Sequence, residues 1–594
     1  MEANLLTAWA RLLVSSLADA GVRDVVLSPG SRSTPFVLAA LRDPRLRCQD
    51  SVDERAAAFY ALGQARMTGR PSLLVCTSGS AGAHYLPALV EACHAFLPVL
   101  ALTADRPLEL QHCHAAQTMD QDRLFGHHVR AFFDLGAPDP SPGALAALRR
   151  MATQAVHTTL HPTPGPVHLN ARARKPLEPV AAGPDAERDL DARVDALLAA
   201  APARVLGGPA VLSRRDFADV ARTLNTGPGL VVCGPMDHTL PGSAADTVRA
   251  LSVLAERLGA PVLCETSSGL RSAPWGDGVV VSSAFEPVLR AADFTRRHPP
   301  AWVLELGAPP VSSAWERYAA GVEGLLRVVS APHGWSDPSS RARFLLRAPP
   351  SELAAGLVDG LPEGIAPAER WRRSWRDALD RAEEAVTLEL REHPDLSELS
   401  AVRAVHRALP AGGTLMLGNS LPIRLADLVV SARGAPRRVL SQRGVNGIDG
   451  LVAGAAGAAM VSDAPVALVL GDVSLLHDLT SLRLAARSPV PLAVVVLHNQ
   501  GGRIFEQLPL ASAPGVTDDE LSHVTTPHDL DFSHAARLFG LGFTRCEAQS
   551  TLEEALAVAL ATPGGTLLEV RVPPHDARVR LARIQRRFEA NLGG

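Results

Sequence analysis

The chain alternates short β-branched strands with Ala- and Leu-rich helical segments, and this alternation constrains its fold more than any other feature. In the first third, helical segments separate the runs DVVLS, SLLVC and PVLALTA. The pattern returns in the middle with GLVVCG, PVLCE and WVLELG, and near the end with TLMLGN, VALVLGD, PLAVVVLHN and TLLEVRV. Such alternation is typical of parallel sheets covered by helices. We therefore expect an α/β protein with three doubly wound parallel-sheet domains.

A chain of 594 residues is too long for a single hydrophobic core. The stretch RKPLEPVAAGPDAER is rich in Pro, Ala and charge without periodicity, which is typical of an interdomain linker. A second charged stretch, Pro367 to His393, is helix-prone and precedes the last α/β block. These features predict a first domain, a linker, a middle domain, a helical connector and a last domain at 1–181, 182–204, 205–366, 367–396 and 397–594.

The composition excludes several classes of partner. The 58 basic and 62 acidic residues nearly cancel, so no overall field attracts nucleic acid or an anionic membrane. The seven cysteines form no CxxC pair, which favours a reducing cytoplasm over a disulfide framework. Leu5–Leu17 lacks the basic start of a signal peptide and is expected to be an amphipathic helix. The apolar runs are shorter than the ~18 residues of a membrane span, so we expect a soluble, cytoplasmic protein.

The segment from Val466 to Gly502 predicts a metal site. One strand ends at Asp472, a helix is expected over about Leu475–Arg487, and a second strand ends at His498-Asn499. In a right-handed βαβ unit both strand ends lie on the same edge of the sheet, so Asp472 and Asn499 can converge. Their oxygen donors suit Mg²⁺. Taken alone, the same residues could simply cap a helix and turn the chain.

This segment resembles the GDG…NN signature of thiamine diphosphate enzymes, with Val473 in place of the last glycine and His498 in place of the first asparagine. The resemblance implies thiamine diphosphate with Mg²⁺ or Mn²⁺ as cofactors. It implies metal ligation by Asp472, Asn499 and a backbone carbonyl near Gly501. It also implies that the residues facing the diphosphate include Gly471 and Ser474.

Thiamine chemistry also needs a carboxylic acid beside the aminopyrimidine ring, and Glu54 in SVDERAAAFY is the candidate. In isolation, Glu54 could instead be an acidic residue that stabilises the helix dipole. However, SPGSRSTP, TSGSAGAHYLPAL and LTADRP together resemble the pyrimidine-binding domain of the same superfamily. The resemblance then covers nearly the whole chain, as pyrimidine-binding, middle and diphosphate-binding domains. It implies a homodimer or a dimer of dimers with active sites at the subunit interface.

Four motifs in order, SPGSRSTP, LTADRP, GNSLPIR and QRGVNGIDG, are similar to the 2-succinyl-5-enolpyruvyl-6-hydroxy-3-cyclohexene-1-carboxylate synthase family of menaquinone biosynthesis. Members decarboxylate 2-oxoglutarate and add the remaining succinyl unit to isochorismate. Because both substrates carry carboxylates, arginines in loop motifs are their expected partners. A simple oxo acid decarboxylase, an acetolactate synthase-type carboligase and an inactive cofactor-binding protein remain alternatives. A nicotinamide oxidoreductase is disfavoured because a GxGxxG loop is missing.

By resemblance, the residues that face isochorismate are Ser31, Arg32, Arg106 and Gln117. Those that hold the succinyl carboxylate are Ser420, Arg424 and Arg443. Of these seven residues, the expected catalytic ones, besides Glu54, are Arg32, Gln117, Arg424 and Arg443. Apolar contacts are assigned to Ile448, which bends the cofactor, and to Ile504 and Phe505, which line the acceptor pocket. Core packing explains these three residues equally well. In addition, Ser313 occupies the place of a substrate-binding lysine of some members, so either an arginine substitutes or this part of the acceptor site is built differently.

Overall fold

The computed structural model describes residues 4–180, 189–205, 212–237, 239, 243–432, 434–435 and 437–592. It contains three six-stranded sheets, and their paired strands run parallel. The predicted α/β class with three doubly wound sheets is therefore confirmed. All seven cysteines are free thiols, as their spacing predicts.

The first sheet has the strand order β2-β1-β3-β4-β6-β5. Its strands are β1 (Asp24–Leu27), β2 (Arg47–Asp50), β3 (Ser72–Cys76), β4 (Val99–Asp105), β5 (Ala131–Asp134) and β6 (Val167–Arg172). The helices of this region are α1 (Leu5–Asp19), α2 (Thr34–Arg42), α3 (Glu54–Thr68), α4 (Leu86–His94), α5 (Pro142–Leu160) and α6 (Leu190–Ala199). The strand order reverses beside β1 and β3, and ligands of open α/β sheets bind at the carboxyl ends of such strands.

The second sheet has the order β12-β11-β10-β7-β8-β9. Its strands are β7 (Gly229–Cys233), β8 (Val262–Cys264), β9 (Val281–Ser282), β10 (Trp302–Leu306), β11 (Leu326–Ser330) and β12 (Ala342–Leu346). The helices are α7 (Arg214–Leu224), α8 (Ala244–Leu258), α9 (Phe285–Arg290), α10 (Ala292–Arg297), α11 (Ser313–Gly321) and α12 (Pro350–Gly360). The helix-prone charged stretch after this sheet forms α13 (Glu369–Glu392), as expected.

The third sheet, β14-β13-β15-β16-β18-β17, repeats the relative strand order of the first. Its strands are β13 (Thr414–Leu417), β14 (Arg438–Ser441), β15 (Val466–Gly471), β16 (Pro491–His498), β17 (Gly542–Cys546) and β18 (Gly564–Arg571). The helices are α14 (Glu398–Ala408), α15 (Leu421–Val429), α16 (Leu451–Met460), α17 (Asp472–His477), α18 (Leu482–Ala485), α19 (Asp518–Thr525), α20 (Ser533–Phe539), α21 (Gln549–Ala559) and α22 (Asp576–Leu592).

The prediction of a single helix over Leu475–Arg487 is wrong. The chain forms α17, a 3₁₀ turn over Leu479–Ser481, and then the short α18. Asp478 ends α17, and its carboxylate accepts a hydrogen bond of 2.6 Å from the Ser481 hydroxyl. Short polar side chains that bond locally in this way compete with the helical ladder. The crossover between β15 and β16 is therefore a broken helix.

The chain packs into two compact units, 1–209 with 442–461 and 210–441 with 462–594. In the first unit, α3 and α16 pack closely, because a Cβ atom on Gly63 would lie only 2.0 Å from the Gly454 carbonyl oxygen. The predicted boundary at 181 falls outside the described residues, and α6 lies within the range predicted as linker. The domain boundaries stay a prediction. Among the described residues, no helix has the length and apolar character that crossing a membrane requires.

Candidate active site

The second unit brings the two predicted metal ligands to one edge of the third sheet. Strands β15 and β16 are paired so that Gly471 lies beside Leu497. The next residues of each strand, Asp472 and His498, therefore emerge side by side at the carboxyl edge, and Asn499 follows directly. This is the convergence that the βαβ pattern predicts.

Asp472 is buried, with 1% of its surface exposed. One carboxylate oxygen accepts a 2.7 Å hydrogen bond from the Val473 amide. The N-cap residue of α17 is Gly471, so Asp472 does not cap this helix as the alternative expects. The other oxygen, Oδ2, accepts a 3.0 Å hydrogen bond from the Gly501 amide. Burial raises the pKa of this carboxyl group. Burial makes the ionised carboxylate less stable. A cation bound there would offset this desolvation cost, because it stabilises the ionised form.

Asn499 is held by a residue that sequence reasoning missed. Its Nδ2 donates a 3.1 Å hydrogen bond to Oε1 of Glu398, at the start of α14. The Asn499 Oδ1 atom is buried and has no hydrogen-bond partner among the described residues. Burial, together with the charges of Asp576 and Asp472, raises the pKa of Glu398 to about 8. No local motif marks Glu398, because it lies 101 residues before its partner.

Gly501 has a φ of 134°, and a Cβ atom there would lie 2.6 Å from the Thr525 carbonyl oxygen. The backbone therefore approaches the site as only glycine allows. A buried carboxylate, an unbonded amide oxygen and a close backbone form an oxygen-rich set that fits Mg²⁺. Gly471 precedes α17, and Ser474 is buried within that helix, where the predicted contacts with a diphosphate would lie.

Two histidines also face the carboxylate of Asp472. The Nε2 atoms of His498 and His528 lie 3.9 and 3.6 Å from Asp472 Oδ2. Sequence reasoning treated His498 only as a departure from the signature and missed His528. His528 lies in a loop before α20, and no spacing rule connects it to Asp472.

The first unit carries Glu54, the first residue of α3. Asp53 is the helix cap, since its side chain accepts hydrogen bonds from the Arg55 and Ala56 amides. Glu54 is therefore not needed for capping. Desolvation raises its pKa, and its charge contributes to raised pKa values at Cys76 and Tyr85, although burial is the main cause there. A half-buried carboxyl group with a raised pKa suits the predicted acid.

Arg32 and Arg106 come together in the same unit. Arg32 is buried and donates a 2.6 Å hydrogen bond to the Ala173 carbonyl. Burial, followed by the charge of Arg106, lowers its pKa. The Nε atoms of both arginines are buried and lack a hydrogen-bond partner within the described part of the chain. Ser31 is exposed beside Arg32, and Gln117 is exposed with a positive φ of 52°. Two adjacent cations with unused donors are suited to a carboxylate ligand.

A buried polar network supports this pair. Asp105, at the end of β4, accepts hydrogen bonds from the Arg106 amide at 2.7 Å and from Asn170 Nδ2 at 3.0 Å. The Asn170 Oδ1 atom accepts a 3.0 Å hydrogen bond from Gln121 Nε2. The side-chain oxygen of Gln121, Oε1, accepts a 3.1 Å hydrogen bond from the Gly79 amide. Asp105 lies inside the LTADRP motif, whereas Asn170 and Gln121 were missed.

The remaining predicted residues lie in loops or at helix starts. Ser420 has a positive φ of 71° and precedes α15, and its carbonyl oxygen accepts a 2.6 Å hydrogen bond from Arg424 Nη1. Arg443 and Ile448 are half-buried in the loop before α16. That loop is anchored by buried Glu91, a residue that sequence reasoning missed. Its carboxylate accepts hydrogen bonds of 2.7–2.9 Å from the backbone amides of residues 444, 445 and 446.

Ile504 and Phe505 are half-buried in a 3₁₀ turn over Arg503–Gln507. Ile504 packs against the hydrophobic core of its unit, as the packing alternative expects. Ser313 is exposed at the first position of α11, and Arg317 Nη1 lies 3.5 Å from its hydroxyl. An arginine is therefore adjacent to the position of the missing lysine.

Comparison with known proteins identifies the class. Residues 8–124 match the family model described as thiamine pyrophosphate enzyme, N-terminal TPP binding domain, and residues 420–570 match the corresponding C-terminal TPP binding domain. A thiamine diphosphate-dependent 4-hydroxybenzoylformate decarboxylase from Rhodococcus jostii RHA1 has the same fold, with a TM-score of 0.66 and 20% identity over 95% of this chain and 99% of that one. The protein is a thiamine diphosphate-dependent enzyme.

Curated relatives define the family more closely. A 2-succinyl-5-enolpyruvyl-6-hydroxy-3-cyclohexene-1-carboxylate synthase from Sorangium cellulosum is 46% identical, over 99% of this chain and 97% of the relative. A synthase of the same name from Myxococcus xanthus is 39% identical, over 100% of this chain and 99% of the relative. Another from Halorubrum lacusprofundi is 37% identical, over 99% of this chain and 97% of the relative. The chain belongs to the 2-succinyl-5-enolpyruvyl-6-hydroxy-3-cyclohexene-1-carboxylate synthase family.

Proposed function

We propose that this enzyme decarboxylates 2-oxoglutarate and joins the resulting succinyl unit to isochorismate, a step of menaquinone biosynthesis. The observation that carries the acceptor assignment is the pair Arg32 and Arg106, whose buried Nε donors are unused within the described residues. Isochorismate carries two carboxylates, and arginine forks bind carboxylates in a bidentate manner. Ser31 and Gln117 lie on loops that can add polar contacts to the same substrate.

Asp472, Asn499 and the Gly501 carbonyl would hold Mg²⁺ or Mn²⁺, with Gly471 and Ser474 beside the diphosphate. Bound thiamine diphosphate supplies the carbon nucleophile that the chain itself lacks. Glu54 holds a proton at its carboxyl group more readily than an exposed glutamate would, because desolvation raises its pKa. It can therefore donate a hydrogen bond to a ring nitrogen of the cofactor.

Ser420, Arg424 and Arg443 would bind the distal carboxylate of 2-oxoglutarate. The positive φ of Ser420 and the bond from Arg424 to its carbonyl oxygen fix the turn at the start of α15. Ile448, Ile504 and Phe505 would provide apolar walls that exclude water. Exclusion of water is needed because protonation of the decarboxylated donor would release succinic semialdehyde instead of the adduct.

We also infer a cytoplasmic homodimer or dimer of dimers, with each active site completed by a second subunit. The support is the family resemblance, together with the cysteines, which are all free thiols.

The test is product analysis by mass spectrometry with thiamine diphosphate, Mg²⁺ and 2-oxoglutarate, with and without isochorismate. The key variant is Glu54→Gln, and Glu352→Gln is its matched control, because Glu352 is an exposed acid in the first turn of α12. We expect the succinyl-cyclohexene adduct from the unmodified enzyme and the control, and a loss of at least about 100-fold in Glu54→Gln.

The outcomes separate the parts of the proposal. Succinic semialdehyde formation that is unaffected by isochorismate would refute the acceptor assignment and leave the cofactor chemistry intact. Equal activity of the two variants would show that Glu54 serves only the helix dipole.

A further inference from the structure

Arg271 lies in the segment after β8 and is buried, with 1% of its surface exposed. A buried guanidinium group is costly unless its donors find acceptors. The Nε atom donates a 2.8 Å hydrogen bond to the Cys264 carbonyl at the end of β8, and Nη2 donates to the same oxygen. The Nη1 atom donates a 3.2 Å hydrogen bond to the Ser283 carbonyl, directly after β9. These contacts fix the guanidinium group relative to the second sheet.

The same guanidinium group also holds the carboxyl end of α15. Its Nη1 atom lies 3.0 Å from the Asp427 carbonyl oxygen and 3.1 Å from the Val430 carbonyl oxygen. The last carbonyl groups of a helix lack partners within the helix, and a cation near them is favourable. Residues 426–429, the last turn of α15, have the sequence ADLV, which contains no basic residue. Arg271 therefore supplies the charge that this helix end favours.

The Asp427 side chain adds a second attachment between α15 and the segment after β8. Its Oδ1 atom accepts a 2.6 Å hydrogen bond from the Thr266 amide and a 3.3 Å hydrogen bond from Arg271 Nη2. Asp427, Thr266 and Arg271 are all buried. Hydrogen bonds to charged groups are strong and directional, so α15 cannot rotate or slide without breaking them. The segment after β8 thus sets the position of α15 within its unit.

The opposite end of α15 carries two residues assigned above to the donor substrate. Ser420 directly precedes this nine-residue helix, and Arg424 lies one turn before Asp427. A helix of this length spans about 13 Å and moves as a rigid body. A shift of its carboxyl end therefore displaces Ser420 and Arg424 as well. A misplacement of about 1 Å far from the reacting atoms can cost an enzyme about 100-fold in activity.

We propose that Arg271 is a positioning residue for 2-oxoglutarate, because it holds α15 where Ser420 and Arg424 meet the distal carboxylate of this substrate. The proposal rests on the proposed function, in which these two residues bind that carboxylate. Arg271 acts through α15 and is not itself a ligand of the substrate. Its planar fork donates to Cys264 on one side and to α15 on the other, which the single ammonium group of lysine does not reproduce.

The experiment measures steady-state kinetics of the full-length enzyme with thiamine diphosphate and Mg²⁺, with each substrate varied in turn. In Arg271→Lys, we expect the KM for 2-oxoglutarate to rise at least about tenfold, because contacts made equally in the ground and transition states are weakened. For the same reason, kcat and the KM for isochorismate should stay within about twofold of the unmodified enzyme.

Arg327→Lys is the matched control. Arg327 is a second buried arginine of the same unit, and its guanidinium group donates to both carboxylate oxygens of Glu305, at 2.7 and 2.9 Å. Both lysine variants should lower the melting temperature, but only Arg271→Lys should raise the KM for 2-oxoglutarate. A purely structural role of Arg271 predicts the same kinetics for the two variants.

An unchanged KM for 2-oxoglutarate in Arg271→Lys would overturn the proposal, as would an equal rise in Arg327→Lys or an equal rise in the KM for isochorismate. If Arg271→Lys does not fold, Asp427→Asn decides. This variant keeps the acceptor for the Thr266 amide but removes the charge that faces Arg271, so the KM for 2-oxoglutarate should rise about threefold. An unchanged KM in Asp427→Asn would then overturn the proposal.

Arg424→Gln distinguishes failure of this proposal from failure of the proposed function. If the KM for 2-oxoglutarate rises in Arg424→Gln but not in Arg271→Lys, the assigned donor site stands and only the positioning role falls. If Arg424→Gln leaves this KM unchanged, the assigned donor site falls, and the positioning role falls with it.

Discussion

Replacement of Gly501 by alanine should weaken metal binding through the backbone alone. The new methyl group would lie 2.6 Å from the Thr525 carbonyl oxygen. That oxygen cannot easily move away, because it also accepts a 2.6 Å hydrogen bond from the Gly502 amide. Residue 501 must therefore shift, which disrupts the 3.0 Å hydrogen bond from its amide to Asp472. A hydrogen bond to a charged group contributes about 1.5–3 kcal/mol, and 1.4 kcal/mol corresponds to about a tenfold change in affinity.

We therefore expect Gly501→Ala to weaken Mg²⁺ affinity by about 10- to 100-fold in calorimetry with thiamine diphosphate present. A positive φ costs alanine about 1–3 kcal/mol in itself, so a control for this strain is needed. Gly515→Ala provides it, because Gly515 has a φ of 93° and open space at its Cβ position. Both variants should lower the melting temperature, but only Gly501→Ala should lose metal affinity. Mg²⁺ binding within twofold of the unmodified enzyme in Gly501→Ala would refute this reasoning.

Two further predictions concern stability. Burial, together with the charge of Asp427, raises the pKa of Glu265 from its ordinary 4.5 to about 8, so the folded enzyme keeps a proton that the unfolded chain has released between these values. The free energy of unfolding should consequently fall by a few kcal/mol as pH rises from about 4.5 to 8. Thermal melts across that range should show a weaker pH dependence of stability for Glu265→Gln. A pH dependence equal to that of the unmodified enzyme would contradict the raised pKa of Glu265. Gly63→Ala would place a methyl group 2.0 Å from the Gly454 carbonyl oxygen, and overpacking of this kind costs about 1–3 kcal/mol. Its melting temperature should fall, whereas Gly143→Ala, with nothing near its Cβ position, should not lower it; equal melting temperatures would show that α3 and α16 can separate without cost.

The convergence of Asp472 and Asn499 could be predicted because it follows from local rules. A strand, a crossover and a parallel strand bring two carboxyl ends to one edge whatever the intervening residues do. The same local reasoning was wrong for the crossover helix, since periodicity does not reveal that Asp478 and Ser481 bond to each other. It also placed Arg32 and Arg106 in loops without showing that their side chains lie together.

The amino-acid sequence by itself determined the α/β class, the three sheets and the positions of the motifs, because strand alternation, turn glycines and helix caps act over a few residues. Within each unit, the tertiary structure alone decided which distant side chains contact the predicted site residues and their loops. Glu398 orients Asn499, Glu91 anchors the loop before α16, and His528 faces Asp472. These contacts join residues that are 56 to 353 positions apart, and they depend on side-chain packing and burial that no local pattern encodes.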